Sequence, residues 1–258
     1  MIMHWRDRIG LWRGWRQEAG TLFVGLDFDG TLAPIVARPE DAALLPAAGD
    51  ALRRLVERSD TDVAIVSGRG LEDVRSRVGL EGVYYAGNHG LEIHGPGLDR
   101  VHPEAESARA ELGRCAEALE GALAGEPGVQ VEDKGLTLSV HYRRAEREGA
   151  GERVRQAVAS SCGGGLRVTE GKKVVEIRPD VDWDKGRATT FLLETIEGDE
   201  VPALFIGDDT TDEDAFRALS GRGEGVLVSE SEPKQTAATA FARSPGEVAE
   251  LILRLADD

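Results

Sequence analysis

The chain has 258 residues, 41% hydrophobic and 30% charged, which suits a globular protein with one large core or two smaller ones. Its net charge of -16 excludes the cationic footprint that nucleic acid or an anionic membrane surface requires. An anionic small substrate stays possible, because a few Lys and Arg with a divalent cation can reverse the field at one site.

The opening stretch MIMHWRDRIGLWRGWRQEAG is broken by charges every few residues, so it reads as neither a signal peptide nor a membrane span. Trp5, Trp12 and Trp15 are expected to pack a short leading helix on the body. Residues 21–26 (TLFVGL), 62–66 (DVAIV), 203–207 (ALFIG) and 225–228 (GVLV) are continuous apolar runs. Runs of this length suit parallel strands covered on both faces. Helix-like segments lie between them, including 47–58 and 71–78, and the alternation predicts a doubly wound, mostly parallel α/β core. The chain closes in SPGEVAELILRLAD, where Ser244 and Glu247 have capping-box spacing and Pro245 stands at the first helical position.

The middle reads differently. A helix over 104–123, strands at 129–133 and 136–143, a helix over 146–160 and strands at 166–171 and 173–179 predict an inserted α+β unit. Its order is α-β-β-α-β-β, with two helices on one sheet face and the other face free. Within it TLSVHYR alternates as a half-exposed strand should. HGPGLDRVHP and RPDVDWDKG are the expected crossings, dividing the chain into a core of 1–103 with 181–258 and an insert of 104–180. Cys115 and Cys162 stand far apart with no C-x-x-C pair, so free thiols in a reducing cytoplasm are expected rather than a disulfide.

In an open α/β sheet, ligands sit beyond the carboxyl ends of the strands. The first apolar run ends in Asp27 and Asp29 and the second in Ser67, Gly68 and Arg69; the third ends in GDDTTDED, with Asp208, Asp209 and Asp212. Carboxylates so clustered persist only around a cation or with perturbed pKa values. Hard oxygen ligands in an incomplete protein cage indicate Mg²⁺, which completes its shell from water and phosphate. Each turn alone has a simpler account, since Asp after a strand often caps a helix. Two acidic turns, a Ser-Gly-Arg turn and Lys185 of WDKG, all just outside core elements, fit one anion-plus-metal site.

DFDGTL, VSGR, WDKG and GDDTTDED, in that order, resemble the four motifs of the haloacid dehalogenase superfamily of phosphatases. GNHGLEI (87–93), GKKVVEIRP (171–179) and WDKG followed by GDDTTDEDAF are similar to trehalose-6-phosphate phosphatases, whose cap the insert matches. The resemblance covers nearly the whole chain apart from the leading twenty residues. It implies a Rossmann-like core with an inserted cap, hydrolysing trehalose 6-phosphate through an aspartyl phosphate. Asp27 is then the nucleophile and Asp29 the general acid and base. Ser67 and Lys185 bind the phosphoryl oxygens. Mg²⁺ is held by Asp27, the Asp29 carbonyl and Asp208, with Asp209 and Asp212 in or behind its shell. Substrate-binding candidates are Thr31, Gly68, Arg69, Asn88, His89 and Gly90 from the core, and Glu132, Lys134, His141, Lys173, Glu176 and Arg178 from the cap.

Two alternatives stay open. One keeps the fold for another sugar phosphate or for a hexose phosphomutase. The other is a non-catalytic sugar-phosphate sensor, which the intact set of Asp27, Asp29, Ser67, Lys185 and Asp208 speaks against. No synthase-sized extension lies within the 258 residues, so no obligate protein partner is expected.

Overall fold

The computed structural model describes residues 2–171, 173–196, 201–231 and 235–257. A short strand β1 (Met3–His4) leads into helix α1 (Ile9–Ala19). Trp5 and Trp12 are fully buried, and each indole N–H reaches a carboxylate, Glu247 at 3.3 Å and Glu224 at 2.9 Å. A buried indole needs such a partner, and Trp15 packs beside them, so the tryptophans dock this leading segment on the body.

The chain continues through β2 (Leu22–Leu26), α2 (Pro46–Val56), β3 (Thr61–Val66), α3 (Leu71–Val78) and β4 (Tyr84–Gly87). Strands β5 (Glu92–Gly95) and β6 (Leu98–Val101) follow. Next come α4 (Pro103–Leu123), β7 (Gln130–Asp133), β8 (Leu138–His141), α5 (Ala150–Ser161), β9 (Leu166–Gly171) and β10 (Val174–Pro179). The last stretch holds α6 (Lys185–Ile196), β11 (Ala203–Gly207), α7 (Asp212–Ala218), β12 (Gly223–Val228), β13 (Ala240–Ala242) and α8 (Pro245–Ala256).

Two compact units result: Met1–Arg100 with Trp183–Asp258, and Val101–Asp182. The first is built on a sheet of order β1-β13-β12-β11-β2-β3-β4-β5-β6, parallel from β1 to β4, with β5 antiparallel to β4. Alternate residues of its strands face opposite cores. Leu22, Val24 and Leu26 join Val63, Ile65 and residues of α2 and α8, whereas Phe23 joins Phe205 and Leu192 of α6. Burial on both faces is why these strands read as unbroken apolar runs. Strands β1, β4, β5, β6 and β13 escaped the sequence reading because they are four residues or fewer, too short to establish a period on their own. In α8 the Ser244 hydroxyl accepts from the Glu247 amide at 3.3 Å, but Glu247 reaches back to the Arg243 amide at 3.0 Å, one residue beyond the box partner.

The second unit is an antiparallel sheet of order β7-β8-β10-β9. Leu112, Leu119, Val154 and Val158 of α4 and α5 pack on Leu138, Val140, Val175 and Ile177 on one face. The predicted alternation in β8 gives way to burial of Thr137 and Ser139 as well. Strand β8 lies inside the sheet, and short Ser139 sits between the longer Glu132 and Glu176 of its neighbours. The expectation of free thiols is overturned: Cys115 of α4 and Cys162, just past α5, form a disulfide with Cα atoms 4.9 Å apart. Helices lying side by side on one sheet face bring together residues 47 apart in sequence, which cysteine spacing does not reveal.

Candidate active site

Strand β2 lies between β3 and β11, so the chain winds outward in both directions from it and its carboxyl end is the switch point where open α/β sheets bind ligands. Asp27 is the next residue, its amide donating to the Ile206 carbonyl at 2.9 Å and its side chain buried. Lys185, the first residue of α6, reaches Asp27 at 2.9 Å and Asp212 at 2.7 Å. Asp184 holds that helix start by accepting from the Arg187 amide at 2.8 Å. The second oxygen of Asp212 accepts from the amides of Asp208 and Asp209, each at 2.9 Å, and so shapes the turn after β11. Gly30 has a φ of +75°, and a Cβ there would overlap the Asp208 carboxylate.

Carboxylate oxygens of Asp27, Asp208 and Asp212 lie within 4.8 Å of one another. Burial pushes the Asp27 carboxyl well above the ordinary aspartate range, with Lys185 pulling the other way and Asp212 and Asp208 adding to the rise. Burial, then Asp212 and Asp209, pushes Asp208 up to about 7. Burial opposes the charge on Lys185, but Asp212 and Asp27 outweigh it and hold its pKa above the usual lysine value. One lysine among three acids leaves the cluster short of positive charge, and its all-oxygen donor set fits a hard metal cation.

Two acids of the sequence reading stand apart from this cluster. The Asp209 carboxylate bonds the amide and hydroxyl of Thr210 at 2.6 and 3.1 Å. The Asp29 carboxylate is gripped by Arg69, Nε to one oxygen at 2.7 Å and Nη2 to the other at 2.8 Å. Ser67, buried at the end of β3, accepts from the Arg69 amide at 3.2 Å. Thr31 is fully buried, and its hydroxyl has no hydrogen-bond partner among the described residues.

Asn88 and His89 occupy the left-handed region with φ of +50° and +59°, followed by Gly90 at +89°. Backbone strain of this kind concentrates at functional loops. The turn is pinned by the amides of Asn88 and His89 on the carbonyls of Arg69 and Ser67, at 2.7 and 2.8 Å. The Asn88 side chain donates to Glu92 at 2.6 Å, and the His89 ring lies against Gly68, where a Cβ would come within 2.8 Å. Glu92, Asp184 and Asp73 were not singled out from sequence. Asp184 was findable as the residue before a helix start, and Asp73 as the i+4 partner of Arg69.

In the second unit, register places Glu132, Ser139, Glu176 and Thr169 in one row on the face away from the helices. Glu132 pairs with His141 at 2.9 Å. Arg178 stands opposite Arg167 across β9 and β10, and its Nε is buried with no hydrogen-bond partner among the described residues. Lys134 lies in the β7–β8 turn, where its amide bonds the Thr137 carbonyl at 2.9 Å. Lys173 lies in the β9–β10 turn with φ of +64°, its carbonyl accepting from Tyr142 at 3.1 Å. Its neighbour Lys172 falls outside the described residues.

A parallel sheet with acids beyond its central strand, a serine turn on the next strand, a lysine at a helix start and an acidic turn on the other neighbour define the haloacid dehalogenase-like class. A family model, Trehalose-phosphatase, matches residues 25–246. The chain belongs to the trehalose-phosphatase family. It is 42% identical over 241 residues to the trehalose-phosphate phosphatase of Mycobacterium marinum, covering 90% of this chain and 61% of that protein. The Mycobacterium tuberculosis protein of the same description is 41% identical over 242 residues, with the same coverage. The chain thus spans about 61% of the length of the relatives it matches. The trehalose-6-phosphate phosphatase C-terminal domain of C. albicans superposes with a TM-score of 0.79 at 24% identity, covering 99% of this chain and 98% of that one. That likeness speaks for the fold. The Aspergillus fumigatus trehalose-6-phosphate phosphatase gives a TM-score of 0.65 at 28% identity, over 96% of this chain and 97% of that one. No helix among the described residues is long and apolar enough to cross a membrane.

Proposed function

We propose that this chain hydrolyses trehalose 6-phosphate to trehalose and inorganic phosphate through an aspartyl phosphate on Asp27. The observation that carries the reading is buried Asp27, held by Lys185 at 2.9 Å beyond the central strand, in a member of the trehalose-phosphatase family. An ionised carboxylate attacks phosphorus without first losing a proton; Lys185 favours that form of Asp27 against its burial, and a cation relieves the repulsion between the two anions. Lys185 and the Ser67 hydroxyl bind phosphoryl oxygens and oppose the charge that builds in the transition state. Asp29 gives a proton to the departing sugar oxygen, then takes one from the water that opens the aspartyl phosphate and frees Asp27.

Asp27, Asp208 and the Asp29 carbonyl would hold Mg²⁺. Asp212 stands behind them, since its oxygens are already engaged by Lys185 and two amides. When bound, the ion offsets the negative charge of the carboxylates and phosphate. The insert supplies recognition of the sugar through Glu132, Lys134, His141, Lys173, Glu176 and Arg178, because acids and bases together suit sugar hydroxyls. The cytoplasm is the site of action this substrate favours, as a phosphorylated sugar does not cross a bilayer unaided. The Cys115–Cys162 bond argues the other way, and counting thiols in protein from intact cells decides between them.

The test is phosphate release from trehalose, sucrose, mannose and glucose phosphates with and without Mg²⁺. Preference for trehalose 6-phosphate and loss of turnover on chelation support the reading; comparable rates on all sugars refute its substrate. Conversion of a hexose 1-phosphate to the 6-phosphate would make the chain a mutase.

A further inference from the structure

The sequence assigned Arg69 to substrate, but its donors are already committed. Nε and one Nη2 hydrogen bond Asp29, another Nη2 hydrogen bonds the Pro39 carbonyl at 2.9 Å, and Nη1 bonds Asp73 at 2.7 Å. A guanidinium has five N–H groups, so one is left for anything else. The side chain is 9% exposed and lies over the Phe28 ring, with Cζ 5.5 Å from its centroid. A group so walled in by its own protein is poorly placed to greet a sugar.

Asp73 anchors this arrangement. It sits on α3, outside all four motifs, and its two oxygens take one arginine each, Arg69 at 2.7 Å and Arg77 at 2.8 Å. Arg77 in turn bonds the carbonyls of Glu40 and Ala42, in the loop whose Pro39 carbonyl Arg69 grips. The loop after β2, helix α3 and the Asp29 carboxylate are thereby tied into one network. Asp29 needs such a tie, because its side chain is 36% exposed and otherwise free to turn toward water. The fork engages one lone pair on each Asp29 oxygen and leaves the others available.

We propose that Arg69 is a positioning residue, orienting the Asp29 carboxylate for proton transfer, and that Asp73 is the anchor that orients Arg69. The inference rests on the assignment of Asp29 as acid and base made above. It is tested by kcat/KM for trehalose 6-phosphate and for p-nitrophenyl phosphate with Mg²⁺, since kcat/KM reports the step in which the leaving group departs. A sugar alkoxide needs a proton to leave and p-nitrophenolate does not. Misplacing a general acid is worth ~10²-fold at the low end of such effects. Arg69→Met is therefore expected to lose ~10²-fold and Asp73→Asn ~10-fold on the sugar phosphate, with KM little changed and a loss at least ~10-fold smaller on the aryl ester for Arg69→Met. In an Asp29→Asn background, Arg69→Met is expected to cost less than ~3-fold, because its target is already gone. Circular dichroism and melting confirm that each variant is folded.

Equal losses on both esters, a rise in KM alone, or an undiminished cost in the Asp29→Asn background would overturn the inference while leaving the proposed reaction intact. A wild type that hydrolyses neither ester would overturn the reaction, and the inference with it.

Discussion

Asp27 and Lys185 meet at 2.9 Å with side chains 7% and 3% exposed; Glu132 and His141 meet at the same distance with 31% and 28% exposed. Equal geometry hides unequal physics. Around Asp27 the low-dielectric surroundings strengthen each interaction and make an unmatched charge expensive. On the sheet of the second unit, water screens the pair, which contributes little to stability and can exchange partners. Charge-building chemistry is served by the first setting, and a set of hydroxyls by the second. The function proposed above assigns the reaction to the first unit and recognition to the second, along the line of burial.

The sharpest way to break that division is Asp27→Asn. Turnover should fall by at least ~10⁴-fold, as when other catalytic nucleophiles are removed, while the protein stays folded. Retained turnover would refute the nucleophile. Next is Asp212→Ala, which strips a fully buried partner from Lys185 and the amides of Asp208 and Asp209. Breaking a buried pair costs about 3–5 kcal/mol, to be read from urea denaturation. A loss below about 1 kcal/mol would put Asp212 in a surface-like setting.

Reducing Cys115–Cys162, or replacing both by Ala, tests the second unit by itself. A loop of this length is worth about 4 kcal/mol in the chain-entropy account and about 2–4 in typical measurements. Calorimetry with reductant should show it as a lower melting transition of the second unit.

A smaller effect comes from pH. The Asp208 carboxyl sits at about 7 in the native protein against an ordinary 3.8, so the native state holds this proton more tightly than the unfolded chain. Without metal, its contribution is favourable below that range and is lost as pH rises through 7. Metal-free protein should therefore melt higher at pH 6 than at pH 8 on this account. Mg²⁺ should narrow or reverse the difference, because the ion binds the ionised acids. The same pH trend with and without Mg²⁺ would remove Asp208 from the metal site. Smallest is Glu132→Gln, expected to change stability by less than about 1 kcal/mol. It should raise KM for trehalose 6-phosphate, and an unchanged KM would remove Glu132 from the sugar site.

Much of the first unit was readable along the chain. The central strands were legible because burial on both faces leaves unbroken apolar runs, and the polar turns that end them carry local spacing. DFDGTL and GDDTTDED lie on strands that pair directly, so two acidic turns become one cluster without any adjustment of register. The short strands β4, β5 and β13 were not legible, since three or four residues on their own establish no period. The buried Ser139 was missed because alternation along one strand says nothing of the longer side chains on the strands beside it.

By itself the sequence determined the central strands and the principal helices, where the acids stand on them and what chemistry such acids can perform, because all of these follow from neighbours a few residues away. Only the tertiary structure decided who holds whom. Arg69 reaches Asp29 across 40 residues, Cys115 reaches Cys162 across 47, and Lys185 reaches Asp27 from the far half of the chain. Such partnerships arise when separate elements pack on a shared sheet, and no local pattern of residues records them.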